Sequence, residues 1–247
     1  MELTPKIKFL GMTFDVTVMI GTVVTAIIVL LIVFLLSRGR SMKPRGAQNV
    51  MEYVIEFIRG ITNMMLEAKK AEKYLSFAIT TFLFVLIANM LGVIVMVNSE
   101  VHGAIPSLGI TEKALKTSHE ISWFKSPTSD INVTVAMAFA IALYAHFSGL
   151  FKSPKRYFAH YFQPYALMFP LHLIDECAKP VTHAARLWAN IFAGEVLILI
   201  LREGIPYLTA VPMFLWIGFS VFVGCIQAYI FTVLAMVYIS QKVADEH

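Results

Sequence analysis

The chain has 247 residues, of which 58% are hydrophobic and only 15% charged, with a formal net charge of +4. Soluble domains carry about 25% charged and about 45–50% apolar residues, so a soluble enzyme or a disordered chain fits poorly. The positive balance does not point to nucleic acid either, because the basic residues flank apolar runs and form no surface of their own. An integral membrane protein fits, and the informative question is where the few charges fall.

Val16–Leu36 holds no Asp, Glu, Lys or Arg over 21 residues. A bilayer core of about 30 Å needs about 20 helical residues, so this run spans once. It is too long for the apolar region of a signal peptide, no small-residue cleavage site follows, and Arg38, Arg40, Lys43 and Arg45 stop it instead. Over residues 48–73, Val50, Val54, Phe57, Ile58, Ile61 and Met65 recur at helical spacing opposite Glu52, Glu56, Arg59, Asn63, Glu67 and Lys70. That pattern predicts an amphipathic helix too charged to span, packed on the protein surface or lying in the headgroup plane. Residues 75–97 form a second uncharged span with Asn89 inside it, residues 98–130 a polar external loop, and residues 131–151 a third span closed by Lys152, Lys155 and Arg156.

The last third changes character. Residues 157–174 carry no formal charge but contain Pro164 and Pro170. Asp175, Glu176, Lys179, Arg186 and Glu195 follow, set among Leu, Ile, Phe and Trp. Residues 204–241 are 38 without one charge, and as a single helix would reach about 57 Å. That is about twice the bilayer core, yet slightly short for two crossings and a turn. The reading is a long tilted hairpin over 164–202 and 206–240, the second helix running from about Met213 to Ile239 beyond Pro206 and Pro212. The predicted fold is therefore an all-α integral membrane protein, a single membrane domain with five membrane-crossing helices plus one in-plane amphipathic helix. With the N-terminus outside and the C-terminus cytoplasmic, 12 of the 20 Lys and Arg residues lie on the cytoplasmic side and 6 outside, with Lys179 and Arg186 left inside a membrane helix. Cys177 and Cys225 sit in apolar segments without zinc-type spacing and read as packed thiols. No metal site and no cofactor is expected.

A charge at mid-bilayer costs about 2.5–3.5 kcal/mol on insertion scales, so it needs a partner, a wet cavity or a function. For Arg186 the candidates are a structural ion pair, a voltage sensor, an anion site and an ion-pathway charge. A sensor requires a series of Arg, and there is one. At about 100° per residue, Asp175, Lys179, Arg186 and Asn190 share one helical stripe, with His172 and His183 near it, while Glu195 points to roughly the opposite side. A kink at Pro180 would shift these phases. Such a stripe reads as a hydrated path, against the bland alternative of helix–helix glue. In the final helix Ser220, Gln227, Phe231, Leu234 and Tyr238 form the facing row, and Gly218 and Gly224 permit close approach.

The run from Lys179 through Arg186, Leu187 and Asn190 to Gly194 and Glu195 resembles the signature of subunit a of the F-type ATP synthase. So do Pro127 to Thr134, containing Asp130 and Asn132; Asn89 to Gly92; Gln227 to Leu234, containing Tyr229; and Pro44 to Glu52. The resemblance runs through nearly the whole chain in order. It implies a stator, without a catalytic centre of its own, set against a ring of c subunits that each carry a membrane carboxylate, with peripheral-stalk b subunits, the ATPase head and membrane lipids as further partners. It implies two offset aqueous half-channels with Arg186 between them, and Asn190, Glu195 and Gln227 at positions linked to proton passage. Asp175, Glu176, Lys179 and His172 become candidates for the cytoplasmic half-channel. Asn89, Asp130, Asn132, Ser220 and Tyr229 become candidates for the external one. Trp188 and Ala189 depart from the Phe-Gly of many members, Ser220 stands where some have a His, and a Pro usual near Val95 is missing.

Two other readings remain: a stand-alone transporter or channel with an Arg-lined site, and an intramembrane enzyme using His172 or His183. The first would want internal repeats and the second a motif such as H-E-x-x-H; neither occurs. A Na⁺-translocating version of the same subunit also stays open, with H⁺ the default. The expected location is a bacterial plasma membrane, since the N-terminal segment has no Arg-rich transit character.

Overall fold

The computed structural model describes residues 4–9, 12–38, 46–95, 97–100, 120–152, 154, 157 and 169–243. Six helices dominate: α1 (Val16–Leu36), α2 (Ala47–Met65), α3 (Ala68–Ile94), α4 (Ile131–Lys152), α5 (Phe169–Glu203) and α6 (Pro206–Val243). All except α2 are long and apolar enough to cross a membrane. The all-α membrane fold read from the sequence is what is found.

Several boundaries differ from the expectation. The amphipathic helix stops at Met65 rather than running to residue 73. Leu66 is extended, with φ −138° and ψ 151°, and its side chain is buried with Ile58, Ile61 and Ala71. The carbonyl of Glu67 then accepts from the amides of Lys70 and Ala71, so Lys69, Lys70, Glu72 and Lys73 open α3. No Gly or Pro marks this break. The span expected over 75–97 starts earlier and ends at Ile94, after which Val97–Glu100 (β3) pairs antiparallel with Glu120–Phe124 (β4) inside what read as a plain external loop. A second small ribbon, Lys6–Phe9 (β1) with Met12–Asp15 (β2), precedes α1. Asp15 caps α1 by accepting from the Thr17 amide at 3.0 Å.

The bounds of the hairpin helices also differ from the expectation, α5 ending one residue later and α6 three residues later. α5 runs unbroken through Pro180, and residues 164–168 of the expected helix lie outside the described residues. α6 starts at Pro206, whose missing N–H costs nothing at a first helical position, and continues through Pro212 to Val243. Cys177 and Cys225 are exposed, not packed, because among the described residues no other helix covers the face of the hairpin on which each lies.

Two apolar seams hold the bundle. At one end Ile58 and Ile61 of α2 meet Tyr74 and Ala78 of α3, Ala145 of α4, and Met236 and Ile239 of α6. Toward the middle Val85 of α3, Ile141 of α4, Leu187 and Ile191 of α5, and Ala228 and Phe231 of α6 interlock. The segment between β4 and α4 is buried without being apolar. Ser126 Oγ donates to the Ala88 carbonyl of α3 at 2.8 Å and pairs with Thr128 Oγ1 at 2.9 Å, so the hydroxyls of this turn are met by each other and by the helix it docks on. Its approach requires glycines. A Cβ on Gly21 would run into the Lys125 carbonyl, and one on Gly92 would lie 2.8 Å from Ser126 Cβ. Gly218, read as a close-approach residue, meets nothing within 4 Å, whereas Gly224 faces Met90 and Asn89.

The same substitution should therefore have opposite signs at two glycines. Gly21→Ala is expected to lower stability by about 1–3 kcal/mol through overpacking. Gly60→Ala, whose Cβ meets nothing within 4 Å, is expected to gain about 0.5–1 kcal/mol from reduced backbone freedom. Thermal unfolding of the two variants in detergent checks this.

Candidate functional site

α5 and α6 pack side by side, and their shared surface divides into three levels. In the middle, the Asn190 amide donates from Nδ2 to Gln227 Oε1 at 2.8 Å. Gln227 is 2% exposed, so this bond meets an acceptor that would otherwise be costly to bury. Arg186, one turn before Asn190, projects from the exposed side of α5. Among the described residues no carboxylate and no hydrogen-bond acceptor engages its guanidinium. His183, by contrast, is buried between the helices, its ring centroid 3.9 Å from that of Phe231 and 5.5 Å from that of Tyr238.

Toward the start of α6, Trp216 Nε1 donates to the Gly194 carbonyl at 3.2 Å and ties the hairpin together. Glu195 turns away from the Arg186 side toward α3: a methyl placed on Gly92 would come 3.2 Å from its Oε1. Asn89 donates through Nδ2 to the Gly224 carbonyl at 3.0 Å. Asn89 Oδ1, Ser220 Oγ and both ring nitrogens of His183 are buried and find no hydrogen-bond partner among the described residues. Asn89, Ser220, Glu195 and the Ser126 turn thus surround one region between α3, α5 and α6.

At the other level, Lys179 pairs with Asp175 at 3.0 Å and Glu176 at 3.2 Å, and Lys242 of α6 pairs with Glu176 at 2.5 Å. Lys179 also donates to Gln241 Oε1 at 3.2 Å, while Tyr238 donates to the Lys179 carbonyl at 3.3 Å. His172 is half-buried one turn before Glu176. Two features here were not singled out in the sequence. His146 of α4 reaches Glu176, and Lys242 at the end of α6 closes the group. A histidine within an otherwise uncharged span was the available signal for His146.

Not all predicted candidates come together. Asp130 accepts from the Asn132 amide at 2.7 Å and so caps the start of α4, with Asn132 exposed beside it. Tyr229 lies on another face of α6, its ring 5.9 Å from that of Phe57 on α2 and away from Ser220 and Gln227.

The comparisons with known proteins match this arrangement to one family, since the model of the ATP synthase A chain family covers residues 18–240. The chain belongs to that family. It is similar to ATP synthase subunit a of Priestia megaterium, at 37% identity over 99% of this chain and 98% of the relative. ATP synthase subunit a of Listeria monocytogenes serotype 4b is 38% identical over 98% of each chain, and that of Bacillus pumilus 36% over 97% of each. Membership carries the role of an ATP synthase a subunit, a membrane component of a larger assembly. Arg186, Asn190, Glu195 and Gln227 all lie within the matched region.

The Asn190–Gln227 bond makes a testable pair. Gln227→Leu is expected to cost about 1–3 kcal/mol, because Asn190 loses its acceptor as the hairpin is repacked. Asn190→Leu in the Gln227→Leu background should cost less than in the native chain. A double-mutant cycle on thermal unfolding measures the coupling, and strict additivity would contradict the bond.

Proposed function

We propose that this chain is the ion-translocating stator subunit of a rotary ATP synthase, in which Arg186 separates two aqueous half-channels. The observation that carries the reading is Arg186 itself. It is exposed in the middle of a 35-residue apolar helix and has no acidic partner among the described residues. A guanidinium stays protonated, so it cannot relay a proton and can only act as a fixed charge. A carboxylate brought to it by a neighbouring protein supplies the missing partner. At about 4 Å and an effective dielectric near 20, the attraction is on the order of 4 kcal/mol. That favours the ionised carboxylate locally and repels protons that would otherwise pass straight between the half-channels.

The partner of this kind is a ring of c subunits with one membrane carboxylate each, held against the stator by b subunits and coupled to the ATPase head. Glu176 and Glu195 bracket Arg186 along α5, about 28 Å apart, close to the thickness of the bilayer core. Asp175, Glu176, Lys179 and His172 then line the cytoplasmic half-channel, and Glu195, Asn89 and Ser220 the external one. The buried atoms of Asn89 and Ser220 that lack protein partners support a wet path there. Asn190 and Gln227 hold the hairpin in register beside Arg186. The reading places the N-terminus outside and the C-terminus in the cytoplasm of a bacterial plasma membrane, with H⁺ as the ion carried and no catalytic centre in this chain.

In inverted membrane vesicles, Arg186→Ala is expected to abolish ATP-driven proton uptake while the chain still co-purifies with its ring partner. Normal pumping by Arg186→Ala would overturn the reading. Arg186→Lys is expected to fail as well, because an ammonium in this setting can lose its charge. Uptake that required Na⁺ would assign the other ion.

A further inference from the structure

Two helices, α5 and α6, together with Tyr157 bring charged or protic groups to one imidazole of α4, at the end of the bundle where α4 and α6 finish. Nδ1 of His146 on α4 lies 2.7 Å from the Tyr157 hydroxyl, and its Nε2 lies 3.3 Å from Glu176 Oε2 on α5. The other oxygen of Glu176 is held by Lys242 of α6 and Lys179 of α5. The Lys242 ammonium also sits over the Tyr157 ring, 5.6 Å from its centroid. The groups facing the imidazole are thus Tyr157, Glu176, Lys179 and Lys242. On its own helix Lys152 is directed to the Val243 carbonyl at 2.7 Å.

Holding these helices together does not require an imidazole. Two ammonium groups already neutralise Glu176, and its second oxygen needs only a hydrogen-bond donor, which an amide could provide. What an imidazole adds is proton exchange near neutrality through two nitrogens on opposite edges of the ring. Here each edge meets a group able to continue the transfer, a hydroxyl on one side and a carboxylate on the other.

We propose that Tyr157, His146 and Glu176 form a proton relay between the aqueous medium at the lysine-rich end and the polar stripe of α5 that leads to Arg186. The proposal rests on the translocation reading above and adds His146 and Tyr157 to it. In the inward direction the Tyr157 hydroxyl gives its proton to Nδ1 and takes one from water. The imidazolium then releases the Nε2 proton to the Glu176 carboxylate. One proton has entered at Tyr157, leaving hydroxide in the medium, and one has come to Glu176, which hands it on to the α5 stripe before the next cycle; no electrons move. A half-turn of the ring restores the starting tautomer, and proton exit is the same sequence reversed.

His146→Gln keeps a donor and an acceptor in place but cannot change charge. In inverted vesicles from cells making the full complex, it is expected to assemble normally yet lower ATP-driven proton transport by about tenfold. The dependence of the rate on the pH of the outer medium should flatten. Tyr157→Phe, which keeps the ring beneath Lys242, should give a smaller loss and the same flattening. In His146→Ala, added imidazole should restore rate, whereas pyrazole, of the same shape but scarcely basic, should not. A native rate and pH profile in His146→Gln, or equal rescue by both additives, overturns the relay. If His146→Gln fails to accumulate, a native rate and profile in Tyr157→Phe overturns it instead. Arg186→Ala in the same vesicles separates the two ideas: pumping by that variant defeats the translocation reading, whereas its loss beside native behaviour in His146→Gln defeats the relay alone.

Discussion

A guanidinium cannot shed its charge, and no acid of this chain meets Arg186 among the described residues. That one constraint orders the rest of the terminal hairpin. An unpaired cation in hydrocarbon would cost about 2.5–3.5 kcal/mol on insertion scales, so the face bearing it must be met by water or by another polypeptide. Thr182, Ala189 and Ala193, which lie within about 60° of Arg186 around the helix, are exposed as well, so among the described residues nothing covers this face of α5. The buried side of the same helix is filled by His183, Leu187 and Ile191, which bind it to α3, α4 and α6. α5 is thus anchored by one side and presents its charge on the other.

Anchoring of this kind needs close packing, because apolar contact among helices in lipid lacks the drive that it has in water. The bundle achieves it with small residues. Gly224 lets α6 approach Asn89 and Met90, Gly92 lets the Ser126 turn and Glu195 approach α3, and Gly21 lets α1 reach Lys125. The turn over residues 126–129 is the unusual part. It is polar yet buried, and Ser126, Thr128 and Ser129 bond to each other, to their own backbone or to the α3 backbone. A rigid polar plug of this sort fixes one wall beside Glu195.

The scarcity of charge made the spans and the central site readable. Where 15% of residues are charged, a single Arg within a helix stands out, and helical phase alone separates Arg186 from Glu195. The facing row put Gln227 against α5 without naming its partner; a buried amide in lipid has to find another polar group, and here it is Asn190. The break at Leu66 was not readable, because the chain turns there by burying Leu66 in a tertiary cluster and not by Gly or Pro chemistry. The β3–β4 ribbon was hidden in a polar segment whose pairing partners, from Glu100 with Glu120 to Val97 with Phe124, lie far apart in sequence. Tyr229 shows the limit of reading one helix by itself. Its neighbours in sequence belong to the α5 contact, yet its phase puts it against Phe57 of a helix that the pattern gave no means of docking. His146 was passed over because a neutral histidine does not interrupt an apolar run, and its role depends on groups contributed by other helices.

The polar groups of the hairpin divide by whether the protein completes their hydrogen bonding. Asn190 with Gln227, and Trp216 with the Gly194 carbonyl, are completed, and they fix the spacing of α5 and α6 at two points within the Arg186 to Glu195 interval. Asn89 Oδ1, Ser220 Oγ and the His183 ring are buried but not completed by protein among the described residues. Buried atoms of that second kind are costly unless small polar molecules reach them. Rigidity and wetness are therefore assigned to different residues of the same two helices. The translocation role proposed above would use that division: if Asn190 and Gln227 also had to serve as a wet path, every passing ion would loosen the contact that holds α6 beside Arg186.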